Sequence, residues 1–360
     1  MGIAKKRIAV LCNYKLMPNR IGGMDYFFWE FDAKCREANV IVNWFFPNSK
    51  NHGDYQKLNI ISANGQSIES SFLNHLQKNQ VTYSHVITHF LEICTPFFKT
   101  VNKLLSAKII AVDHNPRPLN GYPLKKTIIK RIKGILYSRF IDVFVGVSNY
   151  TVNELISDFG KQIKPKCQVI YNGILLENIR VRPVRNTEKP TFLVASHLRK
   201  SKGIQDLIAA VANLPQELKK ELTIDVYGEG PYEKQLLKQI KDLKVEKNFS
   251  FKGSSPNLSE TFYKYDYLLH PTHMECFSLT ILESLAANVP VITTPVGGNL
   301  EIVSHNNNGY IFQANNVQKL KDIVVNLVEG SKSITQNTRS KIEENFGLNK
   351  MVENHINLLQ

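Results

Sequence analysis

Two glutamates eight residues apart bracket the segment Glu275-Cys276-Phe277-Ser278-Leu279-Thr280-Ile281-Leu282-Glu283. The segment follows the strand-like run Tyr267 to His270 and a Pro271-Thr272-His273 turn, so the pattern predicts a helix opening at Phe277 to Leu279. The first turn of a helix carries unpaired N–H groups and partial positive charge, which suits a phosphate. Glu283 falls one turn after Leu279 on the same face, where a carboxylate can accept hydrogen bonds from a ribose diol. Glu275 lies ahead of the helix, placed to touch a sugar beyond the phosphates. Each also has a plainer reading: Glu275 as a helix-start carboxylate favoured by the dipole, Glu283 as a solvated helix residue.

The elements that must position these residues follow one grammar. In the first half, Arg7 to Asn13, Val40 to Phe45, His85 to His89, Lys108 to Val112, Val143 to Val147 and Gln168 to Tyr171 read as strands separated by helical spacing. Arg180 to Pro190, with two prolines and mixed charge, reads as a linker. The second half repeats the pattern with Thr191 to Ala195, Leu222 to Tyr227, Phe249 to Phe251, Tyr267 to His270, Val289 to Thr293 and Tyr310 to Phe312. This βαβ alternation predicts parallel sheets, and 360 residues suit two such domains with a ligand cleft between them. The domains are expected at 1–180 and 190–339. The closing helical segment, Ser340 to Leu359, is long enough to cross back and brace the first.

Order, spacing and surroundings together resemble retaining glycosyltransferases of family 4, which have the GT-B fold and an E-x7-E motif. The resemblance rests on Glu275 to Glu283, on Asn288-Val289-Pro290 through Gly297-Gly298 after them, and on matches along nearly the whole chain. It implies that Gly22 and Gly23, in the loop after the first strand, approach the donor phosphates. Ser196-His197-Leu198-Arg199-Lys200-Ser201-Lys202-Gly203 is similar to the segment that supplies an arginine and a lysine to the diphosphate. Lys202-Gly203 matches, but the usual arginine falls at His197, so the role either passes to Arg199 or is partly lost. The plainer reading of these cations is a solvated loop. Gly228, in Tyr227-Gly228-Glu229-Gly230-Pro231, fits the turn that walls the nucleotide base. His114, in Val112-Asp113-His114-Asn115, resembles the active-site histidine. Cys276 and Asn288 stand where glycine is usual. His85 and His89 share a strand face with no H-E-x-x-H pattern and read as structural.

The resemblance implies transfer of a sugar, with retention, from a nucleotide-diphosphate donor to a glycan acceptor, in surface polysaccharide or glycolipid assembly. UDP-sugars are the expected donors and a lipid-linked glycan the expected acceptor. No Asp-x-Asp segment is present to bridge a metal, so fixed positive charge is expected to replace it and no cofactor is anticipated. Two rivals remain, a non-hydrolysing nucleotide-sugar epimerase and a catalytically silent binding subunit of the same fold.

Charge adds a partner. Residues 1–185 hold 26 Lys and Arg against 12 Asp and Glu, whereas residues 186–360 hold 19 of each, so the formal charge of +14 resides in the first half. No helix-turn-helix, RNP-type or zinc-finger pattern accompanies it, which argues against nucleic acid and leaves an anionic membrane surface. Leu124 to Ile141 carries an apolar stripe (Leu124, Ile128, Ile132, Ile135, Leu136), with Lys125, Lys126, Lys130 and Lys133 mostly opposite. There is no acidic residue between His114 and Ile141. It reads as a surface-lying amphipathic helix, or alternatively as a core-packed helix with a solvated basic face. Five scattered cysteines, with no C-x-x-C pair, suggest neither disulfides nor zinc, and a cytoplasmic location is expected.

Overall fold

The structure is a computed structural model that describes residues 6–18, 21–186, 188–255 and 258–360. The chain divides into two compact units. One comprises Met1–Pro116, Asn120–Gly173 and Leu348–Gln360, and the other Arg117–Leu119 and Ile174–Gly347.

The first unit is built on β1 (Arg7–Cys12), β2 (Ile41–Phe46), β3 (Asn59–Ser62), β4 (His85–His89), β5 (Lys108–Asp113), β6 (Val143–Gly146) and β7 (Cys167–Val169). All pairs are parallel, in the order β3-β2-β1-β4-β5-β6-β7. The connecting helices are α1 (Gly23–Glu37), α2 (Ile68–Asn79), α3 (Pro96–Leu104), α4 (Leu124–Tyr137) and α5 (Asn149–Phe159). A parallel sheet covered on both faces needs continuous rather than alternating apolar runs. β1 and β4 are buried almost throughout for that reason. The edge strand β3 was not legible in the sequence, because its Asn-Ile-Ile-Ser offers only two apolar residues and none is fully buried.

The second unit contains β8 (Phe192–Ala195), β9 (Ile224–Tyr227), β10 (Phe249–Gly253), β11 (Tyr267–His270), β12 (Val291–Thr293) and β13 (Gly309–Ile311), parallel in the order β10-β9-β8-β11-β12-β13. Its helices are α6 (Ile204–Ala212), α7 (Gln216–Glu221), α8 (Glu233–Asp242), α9 (Leu279–Ala286), α10 (Asn299–Ile302), α11 (Val317–Val328) and α12 (Ser340–Asn345). The last helix, α13 (Leu348–Asn357), belongs to the first unit and packs on α1, with His355 and Phe27 ring centroids 4.7 Å apart.

Arg180 to Pro190 is not a free linker. Arg182 pairs with the fully buried Asp266 at 2.7 Å, and Arg185 donates to the carbonyl oxygens of Asn288, Ile334 and Gln336. The chain passes between units at Gly173 and Ile174 instead. In both sheets the strand order reverses beside the first strand, between β1 and β4 and between β8 and β11. Open parallel sheets bind ligands beyond the carboxyl ends of the strands at such a reversal. Among the described residues no helix is long and apolar enough to cross a membrane.

Candidate active site

At the reversal in the second unit, the loops leaving β8 and β11 lock together. His273 N donates to Ser201 O at 2.7 Å, and Gly203 adopts a φ of +70°, so close to Pro271 that a Cβ there would lie 1.8 Å from its carbonyl oxygen. Only glycine tolerates both conditions. This docking brings together two residues 73 apart in sequence: Lys202 Nζ donates to Glu275 Oε2 at 2.8 Å, with the side chains 21% and 17% exposed. Burial opposes the Glu275 charge, but the neighbouring His270 imidazole and Lys202 ammonium outweigh it and hold the carboxyl at about 2. His270 was missed in the sequence. It ends β11, is buried, and its Nε2 lies 3.7 Å from Glu275 Oε2 and 3.5 Å from Ser278 Oγ. A polar residue closing a central strand at the reversal is the signal that marks it.

Helix α9 begins at Leu279, after Phe277 and Ser278. Ser278 Oγ accepts from Ile281 N at 3.3 Å, and the amides of Leu279 and Thr280 have no intrahelical acceptor. Glu283 sits one turn on. It is half-buried rather than solvated, and burial pushes its carboxyl up to about 7.

The two departures from glycine have structural answers. The close approach to the Glu275–Cys276 backbone is made by Gly297, whose φ is +61° and whose Cβ would lie 2.1 Å from Glu275 O, while Gly298 N donates to Cys276 O at 2.7 Å. Asn288 takes a left-handed φ of 60°, which asparagine tolerates better than most residues, and its side chain bonds Arg185, Thr338 N and Arg182 O. Gly228, at φ +120°, would place a Cβ 1.9 Å from Ser196 O, and Leu198 N donates to Glu229 O at 3.0 Å. This clasp fixes the loop bearing His197 and Arg199. His197 is half-buried in it and Arg199 exposed.

In the first unit, Gly22 is the N-cap of α1 and Gly23 its first residue. Gly22 N donates to Asp25 Oδ2 at 2.9 Å; this fully buried carboxylate also accepts from Tyr14 Oη at 2.9 Å and Tyr55 Oη at 2.6 Å. The Tyr14 ring lies 5.9 Å from Phe90, which stacks on His114 at 4.2 Å. Phe90 has a φ of 60°, uncommon for a bulky residue and the kind of strain found at functional sites. The glycine loop and His114 are thus joined by a chain of contacts. His85, read as structural, bonds Ser84, but His89 does more, its Nδ1 lying 3.0 Å from His114 Nε2. His355 from α13 lies beside His89, with centroids 5.9 Å apart. Burial lowers His114 to about 3 and His355 to about 4, and His89 well below its ordinary range, so the cluster is uncharged at neutral pH. Among the described residues, no three His, Cys, Asp or Glu side chains converge as a metal site.

Over 228 residues the chain is 27% identical to the N-acetyl-alpha-D-glucosaminyl L-malate synthase of Bacillus anthracis, covering 59% of this chain and 58% of that protein. Over 206 residues it is 27% identical to the Campylobacter jejuni N-acetylgalactosamine-N,N'-diacetylbacillosaminyl-diphospho-undecaprenol 4-alpha-N-acetylgalactosaminyltransferase, covering 56% and 55%. The chain therefore spans little more than half the length of these relatives. Among solved structures, Anabaena HepE in complex with UDP superposes with a TM-score of 0.75 at 17% identity, covering 98% and 99% of the two chains. That likeness shows the fold: GT-B, with two Rossmann-like domains. Residues 177–346, which hold Lys202, Glu275 and Glu283, match the family described as glycosyl transferases group 1.

Proposed function

We propose that the chain is a retaining glycosyltransferase that moves a sugar from a UDP-sugar to a lipid-linked glycan without a metal ion. The observation that carries this reading is the Lys202–Glu275 pair, set at a sheet reversal beside the start of α9, with Glu283 one turn along. The names of similar proteins support it: HepE was captured with UDP, and the Campylobacter relative is named for a diphospho-undecaprenol substrate.

In this reading Lys202, the exposed Arg199 and the α9 amides neutralise the donor diphosphate. Gly22 and Gly23 admit the phosphates at the start of α1, Gly228 borders the base, and Glu283 accepts from the ribose hydroxyls. Glu275 contacts the transferred sugar, and its ion pair with Lys202 keeps it charged when no donor is bound. The acceptor hydroxyl attacks the anomeric carbon from the leaving-group side as the bond to the phosphate oxygen breaks. The hydroxyl proton passes to that departing oxygen. A neutral His114 supplies a hydrogen bond rather than a positive charge to the sugar.

The test is a panel of UDP- and GDP-sugars, with EDTA present and acceptor present or absent, and NMR assignment of the product anomer. Acceptor-dependent UDP release with a retained anomer is expected. Conversion of the donor sugar without acceptor would indicate an epimerase, and no turnover of any donor a silent subunit; either result refutes the reading.

A further inference from the structure

Helix α4 packs the opposite way round from an ordinary amphipathic helix. Its apolar stripe faces solvent: Leu124 is 76% exposed, Ile128 51%, Ile132 49% and Ile135 66%, with Ile129 and Leu136 alongside. These positions recur at helical spacing, so they form one continuous face rather than scattered exceptions. The side turned to the protein is the one that carries lysine. Lys130 pairs with the buried Asp158 at 2.9 Å and lies 5.0 Å over the Phe159 ring, while Lys133 pairs with Glu92. Gly134 makes this docking possible, because a Cβ there would lie 1.9 Å from Phe159 O on α5. The core-packed alternative therefore fails, and Lys130, on the buried Asp158, is a structural tie rather than surface charge.

A monomer surface rarely shows so many contiguous aliphatic side chains unless something covers them. The charge around the patch selects the cover. Lys125, Lys126 and Arg131 are exposed on the same helix, and no acidic residue occurs between Asp113 and Asp142. A second copy docked about a two-fold axis would bring this cationic face onto itself. An anionic bilayer offers acyl chains to the stripe and headgroups to its cations. We propose that α4 is a membrane-docking element whose aliphatic face enters the interface of an anionic leaflet while Lys125, Lys126 and Arg131 engage the headgroups. The inference does not depend on the catalytic reading, since none of these residues belongs to the candidate site.

The test is flotation of the full chain with phosphatidylcholine vesicles and with vesicles containing about one third phosphatidylglycerol. Wild type should float with the anionic vesicles and bind neutral ones at least about tenfold less. Ile132→Gln with Ile135→Gln should abolish flotation while lowering the melting temperature by no more than a few degrees, because about half or more of each side chain is already in water. Replacing Lys125, Lys126 and Arg131 by Gln should cost up to about a hundredfold in partition and remove its salt dependence. Lys130→Gln should lower the melting temperature yet leave partition of the folded protein unaltered. Equal flotation by wild type and the Ile132/Ile135 variant would overturn the proposal. So would wild type that ignores vesicles but dimerises through the patch, with the double variant monomeric.

Discussion

At the end of β11 a buried imidazole, His270, lies beside an ionised pair, whereas at the end of β4 a buried imidazole, His89, meets another imidazole. The two strands hold equivalent places, each next to the first strand of its sheet at the point of reversal. Topology has given both units a site and residue choice has given each a different one. The second unit stores fixed charge of both signs, suited to a diphosphate and the sugar next to it. The first offers uncharged imidazole and stacked aromatic rings, suited to hydroxyl groups. If that division is right, removing charge from the second unit should do more damage than removing polarity from the first.

The largest expected effect is therefore at the ion pair. Lys202→Ala should lower kcat/KM for the donor by about a thousandfold, the scale found when a single preorganised electrostatic contact to developing charge is lost. Glu275→Gln keeps the size and removes the charge, and should depress kcat by about a hundredfold with KM changed by less than about threefold. Steady-state kinetics with the donor varied at saturating acceptor would show this. A Glu275→Gln enzyme with kcat within about a factor of two of wild type would break the comparison at its strongest point.

Next come the glycines that let loops approach. Gly203→Ala meets both a φ of +70° and a carbonyl oxygen 1.8 Å from the new atom, so it should cost about 3 kcal/mol and separate Lys202 from Glu275. Gly65→Ala in the first unit has a φ of +87° but nothing within 4 Å, and should cost about 1 kcal/mol. Denaturant unfolding of the two variants gives the difference directly, and equal costs would show that backbone conformation alone governs the Gly203 position.

Much of this arrangement was legible in the sequence, and the gaps have identifiable causes. Strands buried on both faces announce themselves as apolar runs, so β1, β4, β5 and β11 were expected close to where they lie. The edge strand β3 escaped because two isoleucines flanked by Asn and Ser carry no period. Glu275, Glu283 and Lys202 were identifiable one at a time, but their pairing depends on how two loops dock, and no local pattern records that Gly203 fits against Pro271. For the same reason the basic side of α4 looked solvated: periodicity finds the two faces of a helix without saying which one the protein covers.

A smaller effect is expected at His89, which acts on the site only through His114. His89→Leu should lower kcat/KM by about tenfold, and His89→Gln, which can still hydrogen-bond, should recover most of it. Acid stability separates this role from simple packing. His89, His114 and His355 all have folded values below the ordinary 6.5, so the stability they hold is present above that pH and lost as pH falls towards 4. Both His89 variants carry one fewer such group, and their unfolding midpoint in an acid titration followed by circular dichroism should move to lower pH. An unchanged midpoint, with activity lost equally in Leu and Gln variants, would reduce His89 to a packing residue.

The smallest effect, and the one with the opposite sign, belongs to Glu283. Its carboxyl titrates at about 7 in the fold against 4.5 for an ordinary glutamate, and burial is the cause. A raised acid favours the protonated folded state, so its contribution to stability is present below pH 4.5 and is lost as pH rises through 7. Glu283→Gln cannot ionise. At pH 8.5 it should be more stable than wild type by about 1 kcal/mol, a shift of a few degrees in melting temperature, with no difference at pH 4. Donor binding should reverse that advantage. Ribose hydroxyls hydrogen-bonded to the carboxylate favour its charged form, so wild type should bind UDP more tightly at pH 8.5 than at pH 6, releasing a proton at the lower pH. The variant should bind with the same weaker affinity at both. Because that contact is equally available in ground and transition states, donor KM should rise by about threefold while kcat stays nearly constant. Calorimetry at the two pH values, in buffers of different ionisation enthalpy, measures affinity and proton count together. Wild-type affinity that does not change with pH would place the ribose elsewhere and leave Glu283 a burial cost without a ligand.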